Sequence, residues 1–405
     1  MKPFGGVIKS EGGGMSSSST ENFLEGVTVL SVEQAVSLPY CTWRLAADGA
    51  EVIRVEPPWG DPNRYVGESA LDEEGMSAYF LGINSGKKSI TLNLNSPKGR
   101  EILGELIKEF DVDIFATNQV PSNYKKLGID YERIRSIKED IIWVGISGFG
   151  PERPEAAYDP MIQAYSGIMD TNGDEDSPPL KFGISIADLE AANQAYCEIM
   201  KALLIKEKTG KGCRIDISML DCCLSLLALH IPMVSLGIDV PKSGNKHPIF
   251  APVGVYRTKD GYVSIAIGSE AQWERLCNLP GFEILRKEIY STNNRRKANE
   301  KQLDRDLGEI LSKRSTEEVI ELFKKARIPI SKVTTLPQIF EDPYLSSKLW
   351  KTKDEKTGLE VLLAPPPVIT ETKELTFAPR LGEHNYEIYS KLGYDVEELK
   401  KEGVI

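Results

Sequence analysis

The stretch AAYDPMIQAYSG, Ala156–Gly167, sets one carboxylate, Asp159, between a tyrosine and a proline, shortly after the run Ser147-Gly148-Phe149-Gly150. A carboxylate at a helix N-terminus is held in place, stays ionised and lies beside amides that can take up developing negative charge. Those are the attributes of a covalent nucleophile. The same residues also read as plain structure. Asp at an N-cap with Pro160 at the first helical position starts many helices. Gly148 and Gly150 serve a tight turn as readily as a loop that approaches an anion. Two lysine pairs, Lys87-Lys88 in NSGKKS and Lys125-Lys126 in NYKKLGIDY, either meet phosphates as point charges or solvate the ends of elements. The three histidines, His230, His247 and His384, show no paired spacing, and among six cysteines only Cys222 and Cys223 adjoin. No metal site is expected from such a set. His230 lies in an apolar run and is expected to pack, whereas His247, in the turn GNKHPIFAP, could line a pocket. Neither a phosphate-binding glycine signature nor a nucleophile elbow is present.

These residues need elements to hold them. GVTVLSVEQ, AEVIRVEPP, KKSITLNLN, VDIFATN and IIWVGISGFG read as five strands, and helical patterns separate them. Ser96-Pro97 supplies the cap and first turn of a helix with apolar Ile102, Leu103, Leu106 and Ile107. Strand and helix alternate as in β-α-β units, which predicts a parallel, doubly wound sheet. Ligands of such sheets sit beyond the carboxyl ends of the strands, near Pro57–Gly60, Thr117–Pro121 and Ser147–Arg153. A long Ala-rich helix is expected from Ile186 to about Lys208, ended by the glycines of TGKG. Lys259-Asp260-Gly261 reads as the turn of a hairpin.

Residues 1–22 read as a flexible Gly/Ser leader, 23–225 as the first part of a large domain, 226–345 as a smaller domain, and 346–405 as a return to the large one. With 405 residues, 41% hydrophobic and 27% charged, the composition is that of a globular protein. A net charge of −11, from 49 basic and 60 acidic residues, argues against nucleic acid as a partner. No apolar run suits a signal sequence or a membrane span, so a cytoplasmic protein with reduced thiols is expected.

In order along the chain, the blocks LAADGAEVIRVEPPWGDPNR, YFLGINSGKKSITLNLNSPKGRE, LGIDYERI, ISGFGPERPEAAYDPMIQAYSGIMDTNG, KEKTGKGCRIDISMLD, GNKHPIFAPVGVYRTKDGYVSIAIG and PRLGEHNYEIYSKLGY occur. Together they resemble the class III coenzyme A transferases, the CaiB–BaiF family, from about Leu24 to Ile405. The resemblance implies an α/β fold: a Rossmann-like large domain of parallel sheet and flanking helices, plus a smaller α+β domain. It also implies an interlocked homodimer, or a hetero-oligomer with a paralogous subunit. The substrates would be coenzyme A thioesters and carboxylic acids, with no prosthetic group.

The resemblance also assigns residues. Asp159, after SGFG, takes the place of the catalytic aspartate, with Gly148, Phe149 and Gly150 near the oxyanion. Asp159 would pass through a mixed anhydride and an aspartyl-CoA thioester. Val36 and Ser37 lie where CoA contacts fall, with Gln34 and Ala35 competing for the same place. Asn84, Lys87 and Lys88 match a basic stretch near the nucleotide's phosphates, and Asn118 an asparagine of the pattern ENFRPG. Here that pattern reads TNQVPS, so Gln119 and Val120 replace residues that include an arginine. Lys126 stands where an arginine is common. Gly244, Asn245, Lys246 and His247 match a loop near the acyl groups. The apolar character of Pro39–Trp43 and Ile249–Phe250 suits an aromatic or dicarboxylic acceptor such as benzylsuccinate, with succinyl-CoA as donor. Two other readings share the fold. An α-methylacyl-CoA racemase would carry histidine where this chain has Tyr158, and GDFGGG where it reads FGISIADLEAA. A non-catalytic subunit would bind CoA or scaffold an active paralogue.

Overall fold

The computed structural model describes residues 23–153, 155–367 and 374–405, so the expected leader lies outside the described residues. Six strands form one sheet: β1 Thr28–Val32, β2 Glu51–Glu56, β3 Lys88–Thr91, β4 Ile114–Thr117, β5 Ile142–Ser147 and β6 Cys213–Ser218. Their order is β3-β2-β1-β4-β5-β6, and every neighbouring pair is parallel. The strand order reverses between β1 and β4. Val32 aligns with both Val55 and Thr117, so the segments leaving β1 and β4 emerge side by side. That reversal is where doubly wound sheets receive ligands. Strands β1–β5 are buried along most of their length because both faces are covered, β4 throughout, whereas the edge strand β6 exposes Arg214 and Asp216.

Helices form where the sequence predicts them. Pro97–Glu109 begins with the Ser96 hydroxyl accepting the Gly99 amide and buries Ile102, Leu103, Leu106 and Ile107. The long helix Ile186–Thr209 ends at Gly210, which takes a left-handed conformation and donates its amide to Lys206 O. It packs on the helix Ser37–Ala47: the Arg44 guanidinium bonds Asn193 at 2.8 Å and lies 3.8 Å above the Tyr196 ring. This contact fixes the start of the long helix near the ends of the strands.

The chain divides into two compact units. The first comprises the chain up to Asp159, Ser185–Cys222 and Ser347–Ile405; the second comprises Pro160–Ile184 and Cys223–Ser346. Within the second, β7 Val253–Arg257 and β8 Tyr262–Ala266 form an antiparallel hairpin that carries Lys259-Asp260-Gly261 in its turn, with β9 Ile330–Lys332 beside β8. Helices such as Glu300–Leu311 and Thr316–Lys325 cover this sheet and share its core around Trp273, Phe282, Leu307 and Phe323.

Gly212 precedes β6 so closely to β5 that a Cβ there would lie 2.0 Å from the Ile141 carbonyl oxygen, a backbone atom that cannot swing aside. Gly212→Ala should therefore cost about 1–3 kcal/mol, the usual price of overpacking. A urea midpoint equal to that of the parent would refute the close approach.

Candidate active site

A cavity of about 150 Å3 opens at the strand-order reversal, and its lining belongs wholly to the first unit. Gln34, Ala35 and Ser37 come from the segment after β1, Asn118–Pro121 from that after β4, and Ile146–Gly148 from the end of β5. Met219, Glu155–Tyr158 and Asp188 complete it. Ser147 is paired with Ser218, so β5 and β6 end level; the Gly148 carbonyl accepts the Leu220 amide at 3.0 Å. Gly150 has φ +89°, a conformation that suits glycine. Beyond it the Arg153 guanidinium covers the Phe149 ring at 4.5 Å.

Two carboxylates meet here. Asp159 is 5% exposed, and its Oδ1 accepts the amides of Ala187 at 2.7 Å and Asp188 at 3.4 Å. Those amides belong to the first turn of the long helix, whose N-cap Ser185 makes no capping bond of its own. Asp159 thus caps a helix, but a different one from that which it begins. A carboxylate fits this place because the first turn presents unpaired donors and the positive end of the helix dipole.

The carboxylates of Glu155 and Asp188 belong to the cavity lining, and Asp159 directly follows the lining residue Tyr158. Burial first, and then the charge of Asp159, push Asp188 up to about 7, against a hydrogen bond from Ser37 that favours its ionised form. The sequence reading gives Asp188 no role. It lies 29 positions beyond Asp159 in FGISIADLEAA, and only its first-turn place on a helix would have drawn attention.

The other anticipated residues fall into distinct groups. Asn118 brackets Gln34: its Oδ1 accepts the Gln34 amide at 3.0 Å and its Nδ2 donates to Gln34 O at 2.7 Å, with Ser37 Oγ at 3.3 Å. Ala35 has φ +59°, and Val36 precedes the helix Ser37–Ala47 without a side-chain cap. Lys87, 3% exposed, donates its ammonium protons to Glu33, Pro39 O and Asn84. Burial pulls it down to about 8 despite the favourable charge of Glu33. Lys88 lies at the surface between Glu51 and Glu387, and Lys126 is exposed on the helix Tyr124–Leu127.

Gly244, Asn245, Lys246 and His247 belong to the second unit. There Gly244 (φ +57°) donates to Gly173 O, Lys246 pairs with Asp304 at 2.8 Å, and His247 Nδ1 accepts the amides of Ile249 and Phe250. Of the apolar stretch Pro39–Trp43, Pro39, Cys41 and Trp43 are enclosed in the core, Trp43 against Trp350. No group of metal-ligating side chains occurs among the described residues, and no described helix is long and apolar enough to cross a membrane.

A carboxylate pair and a glycine loop at the strand-order reversal of a parallel sheet suit group transfer, and comparison with known proteins gives the family. Residues 24–385 match the family described as CoA-transferase family III, and the chain belongs to that family. It is 32% identical to the succinyl-CoA:glutarate CoA-transferase of Homo sapiens, covering 94% of this chain and 90% of that one. It is 31% identical to the succinyl-CoA:mesaconate CoA-transferase of Haloarcula marismortui, covering 92% and 97%. A crystallised CaiB/BaiF family protein from Brucella suis superposes with a TM-score of 0.81 at 30% identity, over 91% of this chain and 98% of that one.

Proposed function

We propose that the protein transfers CoA from succinyl-CoA to a short dicarboxylic acid, with Asp159 as the covalent relay and Asp188 beside it. The observation that carries the assignment is that the Asp159 carboxylate, next to the cavity-lining Tyr158, is held by the Ala187 and Asp188 amides at the start of the long helix. Asp188, pushed up to about 7 by burial and by the charge of Asp159, is the poorer nucleophile of the pair. The choice of acid rests on relatives named for glutarate and mesaconate, both dicarboxylates. The enclosure of Pro39, Cys41 and Trp43 removes part of the reason to favour an aromatic acceptor.

A carboxylate oxygen of Asp159 attacks the donor thioester carbonyl; the C–O bond forms, the C–S bond breaks and CoA leaves as thiolate. The thiolate attacks the aspartyl carbonyl of the mixed anhydride, giving aspartyl-CoA and the free donor acid. The acceptor carboxylate attacks this thioester and expels the thiolate, which then attacks the acceptor carbonyl of the new anhydride. Acceptor-CoA departs and Asp159 is restored, with no net proton change. Partial positive charge at the helix N-terminus favours the oxyanion of each tetrahedral step.

In the second unit, Leu229, Val234 and Leu236 stand 77%, 61% and 77% exposed on a single chain, as residues of a subunit interface would. They support the interlocked dimer that the family resemblance implies. The function is tested by offering succinyl-CoA with glutarate, mesaconate, oxalate and benzylsuccinate, and weighing the thioesters formed. Hydroxylamine treatment of enzyme held with donor alone should mark the peptide containing Asp159. A mark on Asp188 would move the relay to that residue, and absence of any new thioester would defeat the transferase reading for these acids.

A further inference from the structure

The motif GDPNR, Gly60–Arg64, has no part in the chemistry above, yet it is built into the first unit with unusual thoroughness. Asp61 is 2% exposed and paired with the fully buried Arg54, and Arg64 donates to both Glu56 oxygens at 2.6 and 2.8 Å and to Pro379 O. What the turn presents outward is a pair of hydrogen bonds to one residue. The Asp61 carboxylate accepts the Ala35 amide at 3.2 and 3.4 Å, and Asn63 Nδ2 donates to the Ala35 carbonyl at 2.8 Å. Ala35 has φ +59°, a region that costs a residue with a Cβ about 1 kcal/mol or more and persists only where its surroundings enforce it. Asn118 holds the preceding residue by both its amide and its carbonyl. The backbone of Gln34 and Ala35 is therefore gripped from two sides by side chains, and both residues line the cavity that contains Asp188.

We infer that Asp61 and Asn63 are positioning residues: the GDPNR turn holds Ala35 in its left-handed conformation and thereby sets Gln34–Ser37 against the thioester beside the Asp159–Asp188 pair. This rests on the transferase reading above. Strain enforced at a site wall is a means of pre-organisation, because reacting groups misplaced by about 1 Å can lose roughly a hundredfold in rate. Asp61 also serves the buried ion cluster, so Asp61→Asn risks failure to fold. Asn63, half-exposed, can be truncated more safely.

The test is Asn63→Ala, read by amide hydrogen exchange of a peptide spanning Gln34–Ser37 and by steady-state kinetics with succinyl-CoA. Exchange at Ala35 should rise about tenfold, and kcat should fall about tenfold with a smaller change in donor KM. Unchanged exchange overturns the clamp. Faster exchange with unchanged kcat overturns its positioning role and leaves a purely structural one. The exchange measurement does not require turnover, so a parent protein inactive toward every acid offered would count against the transferase reading and not against the clamp.

Discussion

Replacing Asp159 by Asn should abolish CoA transfer, whereas replacing Asp188 by Asn should make the protein more stable above neutral pH. The first follows from the relay: without a carboxylate no mixed anhydride forms, and loss of a covalent nucleophile costs at least ~1000-fold in kcat. The second follows from the burial of Asp188. The carboxyl has an ordinary value of 3.8 and is pushed up to about 7 in the folded chain. Below pH ~4 both folded and unfolded forms are protonated, and the group takes nothing from stability. As the pH rises the unfolded chain ionises first. The stability present below that point is progressively lost until the folded group ionises near pH 7. The gap corresponds to ~4 kcal/mol, an upper figure for a site that hydrates when it opens. The neutral amide escapes this penalty, so the melting temperature of Asp188→Asn should exceed the parent's at pH 8 and match it at pH 4. Equal melting temperatures at pH 8 would mean that Asp188 is not held against its ionisation.

Asp159→Asn separates the two carboxylates. It keeps an oxygen to accept the Ala187 and Asp188 amides but removes the charge that raises Asp188. Transfer should be lost, while the loss of stability with rising pH that Asp188 causes should shrink because its carboxyl is raised less.

Much of this architecture is legible in the chain, and the reasons are local. A helix such as Pro97–Glu109 announces itself by a cap, a proline and an apolar stripe within thirteen residues. The five strand runs read from the amino-terminal half all join the six-stranded sheet, because their apolar content reflects burial on both faces. The site is harder to read, because it is assembled from ends. Asp159 and Asp188 are neighbours only because the long helix packs on Ser37–Ala47, and no spacing in the sequence encodes that contact. The Asp-Pro pair correctly signals a capping residue, but not which helix it caps. Lys87 and Lys88 look equivalent in NSGKKS. Strand alternation sends one into a buried cluster and the other to the surface.

That cluster carries the other large effect. Glu33, Glu56 and Asp61 face Arg54, Arg64 and Lys87, three acids and three bases almost wholly removed from water. Arg54 is its hub: its guanidinium lies 3.6 Å from Glu33 and 3.4 Å from Glu56, and it pairs directly with Asp61. Burial by itself would raise the Glu56 carboxyl. The Arg54 charge and the hydrogen bonds and charge of Arg64 outweigh it and hold the group down to about 2, against an ordinary 4.5. Removing one partner from such a set leaves carboxylates buried without compensation, which costs about 3–5 kcal/mol. Arg54→Met should therefore unfold at much lower urea than the parent at pH 7. The pH dependence has a definite sign. For a carboxyl depressed on folding, the stabilisation is complete above pH ~4.5 and is lost as the pH falls toward 2. Without Arg54 the Glu56 value rises, so acid unfolding of Arg54→Met should begin at a higher pH. A variant within ~1 kcal/mol of the parent would show that the hub contributes little net stability, as some buried ion pairs do when apolar groups replace them. Since Asp61 is both a partner of Arg54 and an acceptor for Ala35, the same substitution should also loosen the loop beside Asp188. In folded Arg54→Met, the amide of Ala35 should exchange faster than in the parent.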